Sequence, residues 1–363
     1  MFGLGLLRTI LAVAVVIVHS SGIFGYNVVG GMVAVQSFYI ISGFYMSLIL
    51  NEKYTDLYVF YTNRILRLYP IYLVVVLLTL IISYADLSNK GDWNSLFYYF
   101  KYYGQMGFFT LIWLVFSNLA LIGQDVVMFL GLDTTTGAMF FTTDFHKTDP
   151  MLWKFLLLPQ AWTLSIEITF YLLAPWIVKR NVKFLIVLLV LSLGLRLFIY
   201  EGLGLKKDPW NYRFFPMELA LFLMGAIAYK LYVRIKSRPP EWLFLVALFV
   251  LFITLVFQFI PIRFIIKQWI YYFVVMFSLP YLFMYSKNSR IDRRIGELSY
   301  GIYISHLFVI SLMTVISYEF VEHARQMRYL GIIAVVFSVV FAVCLYRYVQ
   351  IPIDRYREGR IKG

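Results

Sequence analysis

Arg8 and His19 stand eleven positions apart in LLRTILAVAVVIVHSSG, a stretch near the start of the chain that is otherwise apolar. Eleven steps of about 100° bring a helix back to almost the same direction, so both side chains share one face, about 16 Å apart along the axis. Ionisable groups inside a membrane span are costly, and they mark pathways or reaction sites. A guanidinium presents a planar fork of donors that matches phosphate oxygens, and a neutral imidazole accepts a proton near neutral pH. One face carrying both suits holding an anion at one depth and moving a proton at another.

Further polar residues interrupt other apolar runs. Glu167, in AWTLSIEITFYLLAP, falls at a depth comparable to His19, so a carboxylate–imidazole pair is expected. Tyr171 follows Glu167 by four positions and shares its face, and Trp162 is expected at the interface. Arg64 and Arg67, three apart in YTNRILRLYPIY, face the same way as the next helix opens. Ser299, Tyr303 and His306 form a polar stripe in GELSYGIYISHLFVI. Arg196 and Glu218 repeat the carboxylate–cation geometry, with nothing around them pointing to chemistry, and are read as a structural pair. His146 and His323 are isolated, so no metal site is expected, and no zinc-protease, nucleophile-elbow or phosphate-loop motif is present.

The elements that must position these residues are membrane spans. Of the 363 residues 61% are hydrophobic and 14% charged, against about a quarter charged in an ordinary soluble domain, and the mean hydropathy is +0.78. The expected fold is an all-α polytopic membrane protein of about ten transmembrane helices, near 5–24, 31–50, 68–85, 156–178, 184–200, 214–233, 242–260, 268–286, 298–318 and 329–347. The first is read as a retained span, not a cleaved signal. Most of the 32 basic residues fall in connections that alternate to one side, which places both termini in the cytoplasm. That bias closes only with an even number of crossings between 85 and 156. The segment near 107–131 is therefore expected to be re-entrant or to lie on the outer face, within an outer section over 86–155 that includes Asp86, Asp92 and Asp125. The alternative is eleven spans, with 107–131 crossing, and a twelfth near Trp93–Tyr103. A single integral membrane domain over 1–363 is expected, in a bacterial cytoplasmic (inner) membrane. Tyr271 and Tyr272 are read as interfacial, and Cys344, the one cysteine, as a packing residue. The net charge of +13 follows from topology and calls for no nucleic-acid partner.

Five segments in order, the Arg8–His19 run, GGMVAVQSFYIISGFYMS, RILRLYPIY, AWTLSIEITFYLLAP and LSYGIYISHLF, together resemble the acyltransferase-3 family of integral membrane acyltransferases. The resemblance implies transfer of an acyl group, most commonly acetyl, from cytoplasmic acyl-CoA to a hydroxyl of an extracytoplasmic glycan or lipid-linked glycan. It carries the family's key roles onto Arg8, His19, Arg64, Arg67, Ser165 and Glu167. Acyl-CoA is then a co-substrate, no cofactor is bound permanently, and membrane lipids surround the protein. Two positions depart from the family pattern: Gln36 stands where an acidic residue is frequent, and Gln350-Ile-Pro352 where Glu often precedes Pro.

On this reading His19 is the general base and Glu167 orients its imidazole. Arg64 and Arg67 hold the phosphates, Arg8 the pantetheine or pyrophosphate end, and Ser165, Trp162, Tyr171, Tyr303 and His306 contribute to substrate binding. One tunnel should join the arginines to His19. The competing readings are a transporter or flippase for a glycan-related substrate, with His19, Glu167 and His306 as a relay, and a non-catalytic membrane assembly or sensor protein.

Overall fold

The computed structural model describes residues 2–85 and 94–362; Asp86, Asp92 and Trp93 lie outside them. Among the described residues the helices are α1 (Leu4–His19), α2 (Gly31–Glu52), α3 (Leu57–Ala85), α4 (Ser95–Tyr102), α5 (Phe108–Ala120), α6 (Gln124–Val127), α7 (Trp162–Ile177), α8 (Val182–Leu197), α9 (Phe215–Ile235), α10 (Leu243–Val256), α11 (Phe264–Ser286), α12 (Arg290–Ile316), α13 (Tyr318–Gln326), α14 (Leu330–Leu345) and α15 (Ile351–Lys362). A two-stranded antiparallel hairpin, β1 (Leu130–Leu132) and β2 (Met139–Phe141), pairs Gly131 with Phe140 between α6 and α7.

The all-α polytopic expectation holds. Among the described residues seven helical segments are long and apolar enough to cross a membrane: α2, α3, α9, α11, α12, Val182–Gly202 and Leu330–Arg360. Leu4–His19, Phe108–Ala120 and Leu243–Phe259 are shorter apolar helices. The segment near 107–131 is not one element. Its helix α5 has 13 residues, about 20 Å of rise, and ends where Leu121 and Gly123 take left-handed conformations before α6.

Several boundaries differ from the sequence expectation for identifiable reasons. Helix α1 stops at His19, not near residue 24, because Ser21 adopts φ 71° and the Gly22 amide turns back to the Ile17 carbonyl at 2.8 Å. Helix α3 begins at Leu57, where Asp56 accepts from the Tyr58 amide at 2.7 Å. Arg64 and Arg67 therefore sit on its face rather than in the preceding connection, and Pro70 is inside the helix. Helix α12 begins at Arg290, where the Ser289 hydroxyl accepts from the Asp292 amide. That brings Asp292 and Glu297 onto a face read as a cytoplasmic connection.

Two close crossings set the interior. Helix α2 lies along α9, where a Cβ on Gly43 would stand 1.9 Å from the Phe222 carbonyl oxygen and one on Gly225 1.9 Å from that of Ile40. Helix α1 lies along α12, where a Cβ on Gly5 would stand 1.9 Å from the Asp292 carbonyl oxygen. Small residues at such points let backbones meet when lipid supplies no hydrophobic drive to associate. The outer helices α8, α10 and α14 turn apolar side chains such as Leu191, Phe249 and Phe337 outward.

The Arg196–Glu218 pair forms as expected, 2.7 Å apart and buried. The Gln36 amide donates to both Glu218 oxygens, at 3.0 and 2.9 Å, and the Gln36 carbonyl accepts from Gln268 at 2.8 Å and from the Tyr272 hydroxyl. An acid at position 36 would set two carboxylates face to face here; the amide supplies the donor instead. Tyr271 and Tyr272 are buried within the bundle, and Cys344 is exposed rather than packed.

Candidate active site

Helices α1, α2, α3, α7 and α12, with the end of α11 and part of α15, enclose a cavity of about 560 Å³. Of the residues singled out in the sequence, Arg8, Arg64, Arg67, Glu167, Tyr171, Ser299 and Tyr303 line it; His19, Trp162, Ser165 and His306 do not.

One end is cationic. Arg67 is held by Glu297 at 2.7 Å, and Arg357 is paired with Asp354. Arg8, Lys53, Arg64, Lys287 and Arg293 also line the cavity, and among the described residues none is in an ion pair. The buried Arg64 Nε has no hydrogen-bond partner among the described residues. The Arg8 guanidinium lies over the Tyr45 ring, 5.7 Å from its centroid. The expected Arg64–Arg67 clamp is therefore asymmetric: one fork is committed to a carboxylate, and the cations outside ion pairs are spread over α1, the α2–α3 connection, α3 and the α11–α12 junction.

Asp292 fixes this end. Its carboxylate accepts from the amides of Gly3, Gly5 and Leu6 at 2.8, 2.8 and 3.0 Å. These are first-turn amides of α1, which have no partner inside the helix, and a buried anion there is also favoured by the helix dipole. Arg8 follows within one turn, so its position depends on this cap.

Midway along the cavity Glu167 accepts from the Ser42 hydroxyl at 2.6 Å and from the Tyr171 hydroxyl. The shared face of Glu167 and Tyr171 is as the spacing predicted. The expected Glu167–His19 pair does not form. Glu167 turns from α7 toward α2, while His19, as the last residue of α1, lies beyond the far end of the cavity.

That far end is closed by Phe38, Thr163 and Tyr303. The Tyr303 and Thr163 hydroxyls are 2.7 Å apart, and Tyr303 also donates to the Gln160 carbonyl at 2.9 Å. Beyond them the rings run on from Tyr303 to His306, 5.9 Å between centroids, and from His306 to His19, 4.8 Å. The tunnel expected from the arginines to His19 is thus interrupted. His19 is exposed, with Arg213 within electrostatic reach. Arg213 is paired with Asp208 at 2.6 Å and stacked 4.3 Å over the Trp162 ring. His19 Nδ1 lies 2.9 Å from the Val15 carbonyl. A carbonyl only accepts, so Nδ1 carries the hydrogen and Nε2 is left as the basic atom.

Ser165 has a different setting. Its hydroxyl donates to Asp125 at 2.6 Å and accepts from the Gly123 amide at 2.9 Å, tying α7 to the turn before α6. Burial raises the Asp125 carboxyl, which the Ser165 hydrogen bond partly offsets. Sequence reasoning missed Ser42, Tyr45, Asp292 and Glu297 as site residues. Ser42 and Tyr45, inside GGMVAVQSFYIISGFYMS, and Glu297, inside GELSYGIYISHLFVI, lie in segments already singled out; Asp292 does not.

A membrane-type bundle holding a polar cavity, cationic at one end and closed near an imidazole at the other, can bind an elongated anion and present a proton acceptor beyond it. The profile of the family described as "Acyltransferase domain" matches residues 1–347, and the chain belongs to this acyltransferase-3 family. Curated relatives include three Staphylococcus aureus proteins, of strains COL, MSSA476 and MRSA252, each named "Putative O-acetyltransferase". Each is 24% identical over 403 aligned residues, covering 99% of this chain and 58% of the relative. The chain therefore spans less than two thirds of the length of these relatives. No solved structure matches it.

Proposed function

We propose that the protein is a membrane O-acyltransferase that moves an acyl group, acetyl foremost, from cytoplasmic acyl-CoA to a hydroxyl of an extracytoplasmic glycan or lipid-linked glycan. The observation that carries the proposal is one cavity with Arg8 and Arg64, neither in an ion pair among the described residues, at one end and His19 just beyond the other. The relatives' printed names support the acetyl group and the oxygen acceptor. Ten crossings, with α1, α7 and α10 as the three shorter spans and α5 outside the count, put both termini and the cationic mouth in the cytoplasm of a bacterial inner membrane.

In this account Arg8, Arg64 and the lysines around them hold the phosphates by charge-assisted bonds. The pantetheine arm extends past Tyr45 toward Tyr303, and Glu167 accepts an amide N–H from it. The thioester reaches the Phe38–Thr163–Tyr303 closure, which parts for transfer. The acceptor hydroxyl enters beside His19, whose Nε2 takes its proton as the oxygen attacks the carbonyl carbon, a general-base contribution of about 10²–10⁴ in rate. The Val15 carbonyl, in place of the carboxylate expected from the sequence, sets the tautomer. The test is incubation of purified protein with labelled acetyl-CoA and candidate glycans. Label should pass to a glycan with the wild type and not with His19→Ala; transfer by His19→Ala at the wild-type rate would remove His19 from the mechanism.

A further inference from the structure

His306 is fully buried, and its Nδ1 faces the Tyr303 carbonyl. That contact puts the hydrogen on Nδ1 and leaves Nε2 as a bare acceptor, and Nε2 has no hydrogen-bond partner among the described residues. A buried acceptor left open is unusual and calls for an explanation. The ring against it is His19, at 4.8 Å between centroids and 52° between planes, whose Nδ1 likewise lies on a carbonyl and whose Nε2 makes no hydrogen bond among the described residues. The other charged or titratable groups facing this pair are Tyr303 on α12 and Arg213 in the connection before α9. Helix α14, packed on α1, carries only Cys344. Glu167 faces Ser42 and Tyr171 within the cavity, and among the described residues no carboxylate is hydrogen-bonded to His19.

We infer that His306 is the positioning partner of His19, its Nε2 accepting a hydrogen bond from the Nε2–H that His19 gains when it takes the acceptor's proton. The inference rests on His19 being the base. As the acceptor oxygen bonds to the thioester carbon, its proton moves to His19 Nε2, and two bare acceptors become one donor and one acceptor. The tetrahedral adduct collapses, the C–S bond breaks with its electron pair on sulfur, and the His19 proton passes to that thiolate. The products are the ester and the CoA thiol, and both rings return to their starting state. His306 thus holds the proton-bearing Nε2–H of the imidazolium, while the Val15 carbonyl keeps the opposite nitrogen, where a hydrolase triad has its carboxylate.

The experiment measures CoA thiol release from acetyl-CoA, with a bacterial cell-envelope glycan extract as acceptor, for the wild type, His19→Ala, His306→Phe, His306→Gln and His306→Asn. Acetyl-CoA binding by each purified variant is measured in parallel. His306→Phe keeps a ring without an acceptor and should lower kcat about 10²-fold with KM for acetyl-CoA within twofold of wild type. His306→Gln places an amide oxygen where Nε2 stood and should recover at least tenfold of that loss, whereas His306→Asn, reproducing only the Nδ1 side, should not. Equal kcat for Gln and Asn, or wild-type kcat for Phe, would overturn the inference, and the Gln–Asn comparison decides it should the Phe variant fail to bind acetyl-CoA. Activity in His19→Ala would instead overturn the parent reading and this one with it; an inactive His19→Ala beside a fully active His306→Phe would overturn this one alone.

Discussion

Replacing Asp292 with Asn should both loosen the bundle and weaken acyl-CoA binding, although Asp292 offers a ligand no cation. In the native protein one carboxylate oxygen accepts from Gly3 and Leu6 and the other from Gly5. Asparagine keeps one acceptor. Two bonds fall from charge-assisted to neutral, a loss of about 1 kcal/mol each, and the Gly5 amide then faces an NH₂ group, about 1–2 kcal/mol more. Because the site borders the cavity, water can take over part of the lost bonding, so the net cost is about 2–4 kcal/mol. The assay is thermal unfolding of the purified protein in detergent, followed by tryptophan fluorescence, beside the KM for acetyl-CoA. Asp292→Asn should lower the transition temperature and raise KM, because the first turn of α1 and with it Arg8 shift, while Asp292→Glu should fall between. An unchanged transition and an unchanged KM would refute the reasoning that this carboxylate seats α1.

Gly43→Ala should cost more than the usual 1–3 kcal/mol of overpacking, since its Cβ meets backbone at 1.9 Å; Gly104→Ala, with nothing within 4 Å, is the control and should melt like wild type. Ser165→Ala should destabilise by about 1–3 kcal/mol, by removing a partner from the buried Asp125, with KM for acetyl-CoA unchanged; a raised KM without a change in melting would instead make Ser165 a substrate contact.

Much of the fold was legible because membrane helices are announced locally, by apolar runs, and the i, i+4 bond between Glu167 and Tyr171 follows from helical spacing alone. The Arg8–His19 face was legible for the same reason. What lay beyond reach was which helices meet. Asp292 reaches Gly3 across 289 positions and Ser42 reaches Glu167 across 125, and no periodicity reports either. The expected His19–Glu167 pair rested on equal depth, and depth does not specify azimuth: α7 presents Glu167 to α2, not to α1. Arg64 and Arg67 fall in a connection only if charge ends a span, whereas a charge facing a polar cavity leaves the helix intact.

The central claim is that the cationic end of the cavity binds acyl-CoA and that His19 acts in transfer rather than in binding. Equilibrium binding of acetyl-CoA to purified wild type, Arg8→Ala, Arg64→Ala and His19→Ala tests it directly. Loss of a charge-assisted contact corresponds to about a 10–100-fold rise in Kd. Both arginine variants should fall in that range, with His19→Ala binding as tightly as wild type. Wild-type affinity in both arginine variants would contradict the account.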